Sequence, residues 1–466
     1  MGSCGASRSG AGRVLLTRVR AQASRALSLL TGSRFARGVS LLAGSAAISQ
    51  ALLILASPLI TRLYTPAEMG VYAVFTSILA VANSFGSMRY ERAIPLPREP
   101  ERGLSVVLLS LALLPVSAVV FGVLLLFGGR WLVGALGVPA LGPFLWLLPV
   151  GLASIGTYHA LSYWFVRTGD FKRIAWTRLT QSANMIGVKV LGGVLFAGPV
   201  GLLVGGIIGQ AAGITRFAVG LRRSGRRLFT REVARGVPEV ARAYRQFPML
   251  TAWTQAINAA GVSAPSLLLA AFYGPQVAGW YALGQRVLAG PARIVGAAIA
   301  QVYFSEAARM MHERPAALAP QFRRLTRRLV LASVPIVAVS IVSPWLFEWV
   351  FGREWRSAGV YAAILALPVS CSLVATSTSN LVTYGFNKWA SSWEVSRLVL
   401  TVGALWGCHW ARVDSLGAIS CLALVSVVSY SVLWLLNSTA VHRVGRAGWV
   451  VGGVEAPAGQ AGSEPD

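Results

Sequence analysis

The sequence predicts an all-α integral membrane protein, with about 12 transmembrane helices in two six-helix lobes related by a parallel pseudo-two-fold repeat. Of its 466 residues, 55% are hydrophobic and only 12% are charged, whereas soluble domains carry about 25% charged residues. The apolar residues fall into blocks of roughly 20, the length that crosses a bilayer core as a helix. A motif near the start of the first half recurs in the second half. These features exclude a chain of soluble domains.

Twelve apolar blocks are candidate spans. Most are bounded by charged residues or by turn-forming Gly and Pro. The stretch around Gly198–Pro199 is nearly continuous, and we divide it there. The predicted spans cover residues 39–60, 70–88, 104–128, 141–166, 178–197, 200–220, 249–273, 277–303, 329–351, 359–384, 392–411 and 416–437.

The basic residues predict the topology. Of the 42 Lys and Arg residues, 34 fall in segments on the side of both termini and 5 on the other side, while 3 lie within spans. This is the positive-inside pattern, so we expect both termini to be cytoplasmic. The net charge of +26 then reflects topology and does not indicate nucleic-acid binding. Arg greatly outnumbers Lys, which is typical of GC-rich genomes and favours a bacterial cytoplasmic (inner) membrane.

A motif occurs twice, at residues 63–73 and 272–282, with a constant offset of 209. Each half holds an even number of predicted spans, so both copies have the same orientation in the membrane. The matched positions are Tyr64, Pro66, Gly70, Tyr72 and Ala73 in the first copy, and Tyr273, Pro275, Gly279, Tyr281 and Ala282 in the second.

The repeat and the charges divide the chain into five segments. A basic cytoplasmic arm (1–37) precedes an N-lobe (38–220), a basic cytoplasmic linker (221–248) and a C-lobe (249–438). The charge of the linker suits either a helix on anionic lipid or a solvated loop. The last segment (439–466) is rich in Gly, Pro and Ala and is predicted to be a disordered tail.

Three short stretches carry a resemblance to a known family. They read SPLITRLYTPAEMGVY at residues 57–72, MRYERAI at 88–94 and RTGDFK at 167–172. Together they resemble the polysaccharide (O-antigen type) flippases of the multidrug/oligosaccharidyl-lipid/polysaccharide (MOP) exporter superfamily, over residues 38–438. The resemblance implies a central cavity that opens alternately to each side. It also implies an undecaprenyl-pyrophosphate-linked oligosaccharide as cargo, with membrane lipids, a polysaccharide polymerase and glycosyltransferases as candidate partners.

Three cations lie deep inside predicted spans, well away from the span ends: Lys189, Arg286 and Arg293. A charge in the middle of a bilayer costs about 2.5–3.5 kcal/mol on insertion scales. The span interiors contain no acid, since Glu348 and Glu394 lie near span ends. An anionic substrate is therefore a natural partner, and a lipid pyrophosphate suits the planar donor fork of Arg. The alternative is that these side chains snorkel or bind backbone carbonyls.

Three further residues are candidate substrate contacts. Arg89 lies at the basic end of the second predicted span and could receive the pyrophosphate, or could pair with Glu91 and fix the helix end. Gln255 and Asn258 share one helix face by their spacing. They could bind sugar hydroxyls or join neighbouring helices.

Other functions are less consistent with the sequence. His409 and Asp414 have a spacing found in some acyltransferases, but the predicted outer loops are too short for a polymerase or ligase. Cation-coupled drug exporters need carboxylates within the membrane, whereas a lipid II flippase would share the cations. No nucleotide-binding loop or metal-ligand spacing is present. We therefore expect no enzyme activity, cofactor or metal.

Overall fold

The computed structural model describes residues 34–225 and 231–447, and within these ranges the regular structure is entirely helical. The basic arm up to residue 33, residues 226–230 of the linker and the tail from residue 448 lie outside the described residues. The α-helices are α1 (Arg34–Leu55), α2 (Ser57–Leu63), α3 (Pro66–Ala82), α4 (Pro100–Ala135), α5 (Leu147–Thr168), α6 (Phe171–Leu195), α7 (Val200–Ala211), α8 (Ile214–Gly225), α9 (Arg231–Arg235), α10 (Val237–Ala243), α11 (Ala252–Tyr273), α12 (Pro275–Glu313), α13 (Leu318–Ile341), α14 (Ser343–Phe351), α15 (Arg356–Ser377), α16 (Asn387–Trp410) and α17 (Ser415–Ala447).

The helices are long and apolar enough for a membrane protein. Each of the twelve predicted spans overlaps at least one helix. Within the described ranges, seven helical stretches could each cross a membrane by length and composition, and α13 with α14, bent by 67° at their junction, gives an eighth. The predicted all-α membrane fold is thus confirmed, while the count of twelve spans stays a prediction. The seven are Ser40–Leu63, Pro100–Ala135, Val200–Leu221, Phe247–Tyr273, Pro275–Met311, Arg353–Ser377 and Ser415–Gly445.

The two copies of the repeated motif meet each other directly. Gly70 of α3 lies so close to α12 that an added Cβ would overlap the carbonyl oxygen of Pro275. At the matched position, a Cβ on Gly279 would overlap the carbonyl oxygen of Pro66. The first turns of α3 and α12 therefore lie side by side, at the same end of the bundle. This reciprocal contact is what a parallel repeat requires, although the pseudo-two-fold itself stays a prediction.

The end of the bundle that holds Pro66 and Pro275 is named the opposite face here, and the end with the Arg89–Arg102 and Arg167–Arg178 segments the basic face. Further contacts join the lobes at the opposite face. The indole nitrogen of Trp355 donates to the carbonyl of Thr61 at 3.1 Å, and this tryptophan is fully buried. The opposite face is therefore closed between the lobes.

The described part of the linker is helical and is attached to the N-lobe. Val233 and Val240 are buried against the basic end of α4. Ser105 of α4 donates to the carbonyl of Val233 at 2.8 Å, and Tyr90 donates to the carbonyl of Ala241 at 3.0 Å. These contacts fix the linker on the basic face of the N-lobe.

Most helix ends differ from the predicted spans by several residues, and three of these differences have a visible cause or consequence. Helix α3 ends at Ala82 and not at residue 88, because the amides of Ser84 and Phe85 bond to carbonyls only three residues back, and the chain then turns through Met88 and Arg89 in left-handed conformations. Helix α15 ends at Ser377 and not at residue 384. Beyond its end, the backbone amide of Asn380 donates to the side chain of Asn437 in α17. Helix α17 continues to Ala447, into the segment predicted to be a disordered tail.

Candidate substrate cavity between the lobes

A cavity of about 460 Å³, named the central cavity here, lies between the two predicted lobes. Helices α1, α3 and α6 form one wall and helices α11 and α12 the other. Lys189, Arg286 and Arg293 all line it, so the structure brings together the three cations that the sequence places inside spans. No carboxylate is among the described residues that line this cavity.

Lys189 is held in place by close helix packing. Its side chain is only 1% exposed, and its ammonium nitrogen lies 4.0 Å from the ring centroid of Tyr72, also in the cavity wall. Helix α7 comes close to α6 because glycines face it, and a Cβ at Gly205 would lie 2.6 Å from Cγ of Lys189. The carbonyl of Lys189 accepts a hydrogen bond of 2.7 Å from Tyr64. The repeated motif thereby anchors this lysine.

Arg286 and Arg293 lie seven residues apart on α12, about 10 Å along the helix axis at 1.5 Å per residue. Arg286 is half-buried and Arg293 is exposed to the cavity. None of the ion pairs formed within the described ranges includes either guanidinium group or Lys189. The cavity wall therefore holds two guanidinium groups without an ion-pair partner among the described residues, and a buried ammonium group that contacts Tyr72.

The other three candidates lie outside the central cavity. Arg89 pairs with Glu91 at 3.4 Å, and burial lowers the pKa of this guanidinium while the carboxylate of Glu91 raises it. Gln255 accepts a hydrogen bond of 3.2 Å from Arg92, across the lobes at the basic face. Asn258 donates to Glu394 at 2.8 Å. The shared helix face of Gln255 and Asn258 thus contacts other protein segments.

Two smaller cavities, named the N-lobe chamber and the C-lobe chamber here, were not expected from the sequence. Their volumes are about 220 and 230 Å³. The same positions of the repeat line both chambers, at the offset of 209. The matched pairs are Tyr72 and Tyr281, Thr76 and Gln285, Ala80 and Ala289, and Asn83 and Ala292.

Arg397 of α16 is a candidate binding residue that is absent from the sequence prediction. It lines the C-lobe chamber together with Arg293. It pairs with Glu394 at 2.8 Å and lies 5.2 Å from the ring of Trp393. The positive-inside count places Arg397 with the cytoplasmic loop before α16, although it falls inside the predicted span 392–411. A cation within a predicted span is the sequence signal that could have identified it.

The residues of the acyltransferase-like spacing do not form a catalytic pair. The imidazole of His409 stacks on the ring of Phe272, with centroids 4.3 Å apart. A carboxylate oxygen of Asp414 accepts a hydrogen bond of 3.1 Å from the backbone amide of Gly417, at the start of α17. Each side chain thus has a structural partner.

The sequence was compared with family models and with curated proteins. Residues 59–360 match the family model described as polysaccharide biosynthesis protein. Among curated proteins, none matches the sequence at a significant level.

Solved transporter structures share the fold. The lipid II flippase MurJ, in an inward closed conformation, has a TM-score of 0.66 and 13% identity, over 87% of this chain and 90% of that one. A multidrug resistance MATE family transporter of the MOP superfamily, inward-facing, has a TM-score of 0.63 and 15% identity, over 85% and 96%. A mutant of the Vibrio cholerae MATE transporter VcmN has a TM-score of 0.57 and 14% identity, over 89% and 98%.

Identities this low establish the fold alone, whereas the family model covers more than half of the chain. The chain therefore belongs to the polysaccharide biosynthesis protein family and has the membrane fold of the MOP superfamily.

Proposed function

We propose that this protein is a flippase that moves a polyprenyl-pyrophosphate-linked oligosaccharide from the cytoplasmic to the outer leaflet of a bacterial inner membrane, for cell-surface polysaccharide biosynthesis. The observation that carries the proposal is the convergence of Lys189, Arg286 and Arg293 on one cavity that both lobes line. The family assignment supports a role in making polysaccharide.

The cavity chemistry favours a phosphorylated cargo. Unpaired cations in a low-dielectric site are costly unless an anion joins them. Arg binds phosphate oxygens through two parallel hydrogen bonds, which is both strong and specific in geometry. In this proposal Arg286 and Arg293 hold the pyrophosphate, while the glycan occupies the rest of the cavity and the polyprenyl tail stays in lipid.

Transport follows an alternating-access cycle in this proposal. The cargo enters from the basic face, which is cytoplasmic together with both termini. The contact between Gly70 and Pro275 and the matching contact between Gly279 and Pro66 then break, and the opposite face opens. A membrane potential that is negative inside favours outward movement of an anion by about 2.3 kcal/mol per charge per 100 mV. No cofactor is needed, and the polymerase and glycosyltransferases act before and after this step.

Two rival transport functions differ in their cargo or coupling. A cation-coupled drug exporter would use carboxylates in the cavity, and the described cavity wall is without them. A lipid II flippase is the second candidate, because MurJ shares the fold and its lipid-linked cargo would suit the same cations. We favour an oligosaccharide cargo because the matching family is one of polysaccharide biosynthesis.

The proposal is tested in proteoliposomes that contain a polyprenyl-pyrophosphate-linked oligosaccharide in the inner leaflet. Flipping is measured as the glycan that an added glycosidase can reach, per unit of inserted protein. We expect Arg286→Ala with Arg293→Ala to abolish flipping, and Arg286→Lys to restore only part, because a point charge replaces a bidentate fork. Arg309→Ala, on the same helix at its basic end, is the matched control.

Unchanged flipping in the double alanine variant would refute the pyrophosphate site. Flipping of lipid II at an equal or greater rate would show that the cargo is assigned wrongly.

A further inference from the structure

The C-lobe chamber adjoins the central cavity. It lies among helices α11, α12, α15, α16 and α17. Tyr281, Gln285 and Arg293 line both spaces. The two spaces therefore adjoin at these side chains, and a ligand bound beside Arg293 in the central cavity lies next to the chamber.

The chamber has cationic groups with free donors. Arg293 forms no ion pair with any described residue, and the Nε atom of Arg397 is buried without a hydrogen-bond partner. Glu394 already pairs with the Nη2 atom of Arg397 and accepts from Asn258, but no hydrogen bond or ion pair among the described residues joins it to the Nε atom of Arg397 or to Arg293. A buried donor without a partner is destabilising, so an acceptor that enters the chamber would be stabilised.

The remaining wall suits a sugar ring. Tyr281 and Tyr430 offer flat rings with hydroxyls, and four further hydroxyl side chains face the space. At about 30 Å³ per water molecule, the chamber volume of about 230 Å³ equals about eight waters. This is more than a bare halide ion needs, and it suits a single sugar ring better than two. The hydroxyl-bearing wall residues are Ser372, Thr376, Thr401 and Ser426.

We propose that the C-lobe chamber is a subsite for one acidic sugar residue of the glycan, with its carboxylate bound by Arg397 and by the guanidinium of Arg293, which borders both spaces and is shared with the pyrophosphate on Arg286. The ring hydroxyls bind the wall hydroxyls. This inference rests on the proposed function, because it assumes a glycan cargo. It adds that the flippase prefers a glycan that contains a sugar carboxylate.

The test compares two sugars that differ only in the acidic group. Galacturonate and galactose are titrated by calorimetry into the purified full-length protein in nanodiscs. We expect galacturonate to bind at least tenfold more tightly than galactose. Arg397→Lys keeps the charge beside Glu394 but loses the planar fork, and Thr401→Val keeps both guanidiniums, so each should weaken galacturonate binding several-fold. Asn83→Ala in the N-lobe chamber, where the matched residue is already Ala292, is the control.

Equal binding of the two sugars, or no binding of galacturonate, would overturn the subsite. Phosphate that competes with galacturonate at equal affinity would also overturn it and assign the chamber to a free inorganic anion.

The same preparations and the Arg286→Ala variant are titrated with inorganic pyrophosphate, so that the part of its binding that depends on Arg286 is separated from the part that depends on the shared Arg293. Failure of galacturonate with intact pyrophosphate binding and flipping would remove only the subsite. Loss of pyrophosphate binding and flipping, with galacturonate retained, would instead refute the proposed function.

Discussion

The two lobes enclose chambers of nearly equal volume at matched positions of the repeat, yet only the C-lobe chamber is cationic. The same difference holds in the central cavity. At the offset of 209, Arg286 corresponds to Ser77 and Arg293 to Ser84. Ser77 lines the cavity and Ser84 is fully buried. The helix positions that form the walls are thus shared by the lobes, while the chemistry at those positions has diverged.

This comparison assigns different tasks to the two lobes. Helix α12 of the C-lobe supplies two of the three cavity cations, and helix α6 of the N-lobe supplies the third. Lys189 is buried beneath Tyr72, whereas Arg293 is exposed to the cavity. We therefore expect the C-lobe to dominate recognition of the anion.

The strongest way to break this comparison is to move a cation between the lobes. Arg286→Ser installs the residue of the N-lobe and should reduce flipping at least about 100-fold, since two charge-assisted hydrogen bonds contribute about 1.5–3 kcal/mol each. Adding Ser77→Arg returns a guanidinium to the same cavity from α3 and should restore part of the rate. If the single variant flips normally, the C-lobe does not dominate. Flipping is measured per inserted protein in proteoliposomes.

A smaller effect is expected for the N-lobe cation. Lys189→Met keeps the packing against Tyr72 but removes the charge, and flipping should fall about tenfold, which is about 1.4 kcal/mol. The loss is smaller because the ammonium group contacts the ring and contributes to the cavity mainly at a distance. Lys172→Met, at the basic end of the same helix, is the control. A loss as large as that of Arg286→Ser would show that the lobes contribute equally.

The smallest effect is expected at the contact between Asn258 and Glu394, which lines neither the central cavity nor a chamber. Asn258→Ala removes one donor to Glu394 and should lower the free energy of unfolding by about 1 kcal/mol, with flipping per inserted protein unchanged. Thermal unfolding and the glycosidase assay, applied to the same samples, separate the two quantities. A selective loss of flipping would instead support the sugar-contact role predicted from the sequence.

The sequence predicts the membrane fold well, because span length and charge placement are properties of single segments. It also identifies Lys189, Arg286 and Arg293, since a cation deep in an apolar block is visible without knowing its neighbours. The sequence prediction omits Arg397 because it falls near the start of the predicted span 392–411, where a cation usually reaches the membrane surface, whereas the helix begins at Asn387 and holds Arg397 near its middle. Whether such a residue turns inward depends on helix packing, which no local pattern records.

The same limit applies to the polar candidates and the helix ends. Gln255 and Asn258 share a face, as their spacing predicts, but the spacing does not say which neighbour that face contacts. The turn that follows α3 includes left-handed backbone at Met88 and Arg89, and neither residue type favours such a conformation. The chambers are likewise absent from any sequence pattern, because each is bounded by several helices.

The reciprocal contact of the repeated motif has a consequence for the history of the chain. Gly70 contacts Pro275 and Gly279 contacts Pro66, so each copy of the motif supplies both the glycine and the proline of the contact. This is the arrangement of an isologous interface, in which one surface patch is complementary to itself. A six-helix ancestor with a single copy of the motif could have paired with a second molecule through the same contact. After gene fusion the two copies could accumulate different substitutions. Arg286 and Arg293 in one half, with serines at the matched positions of the other, are differences of this kind.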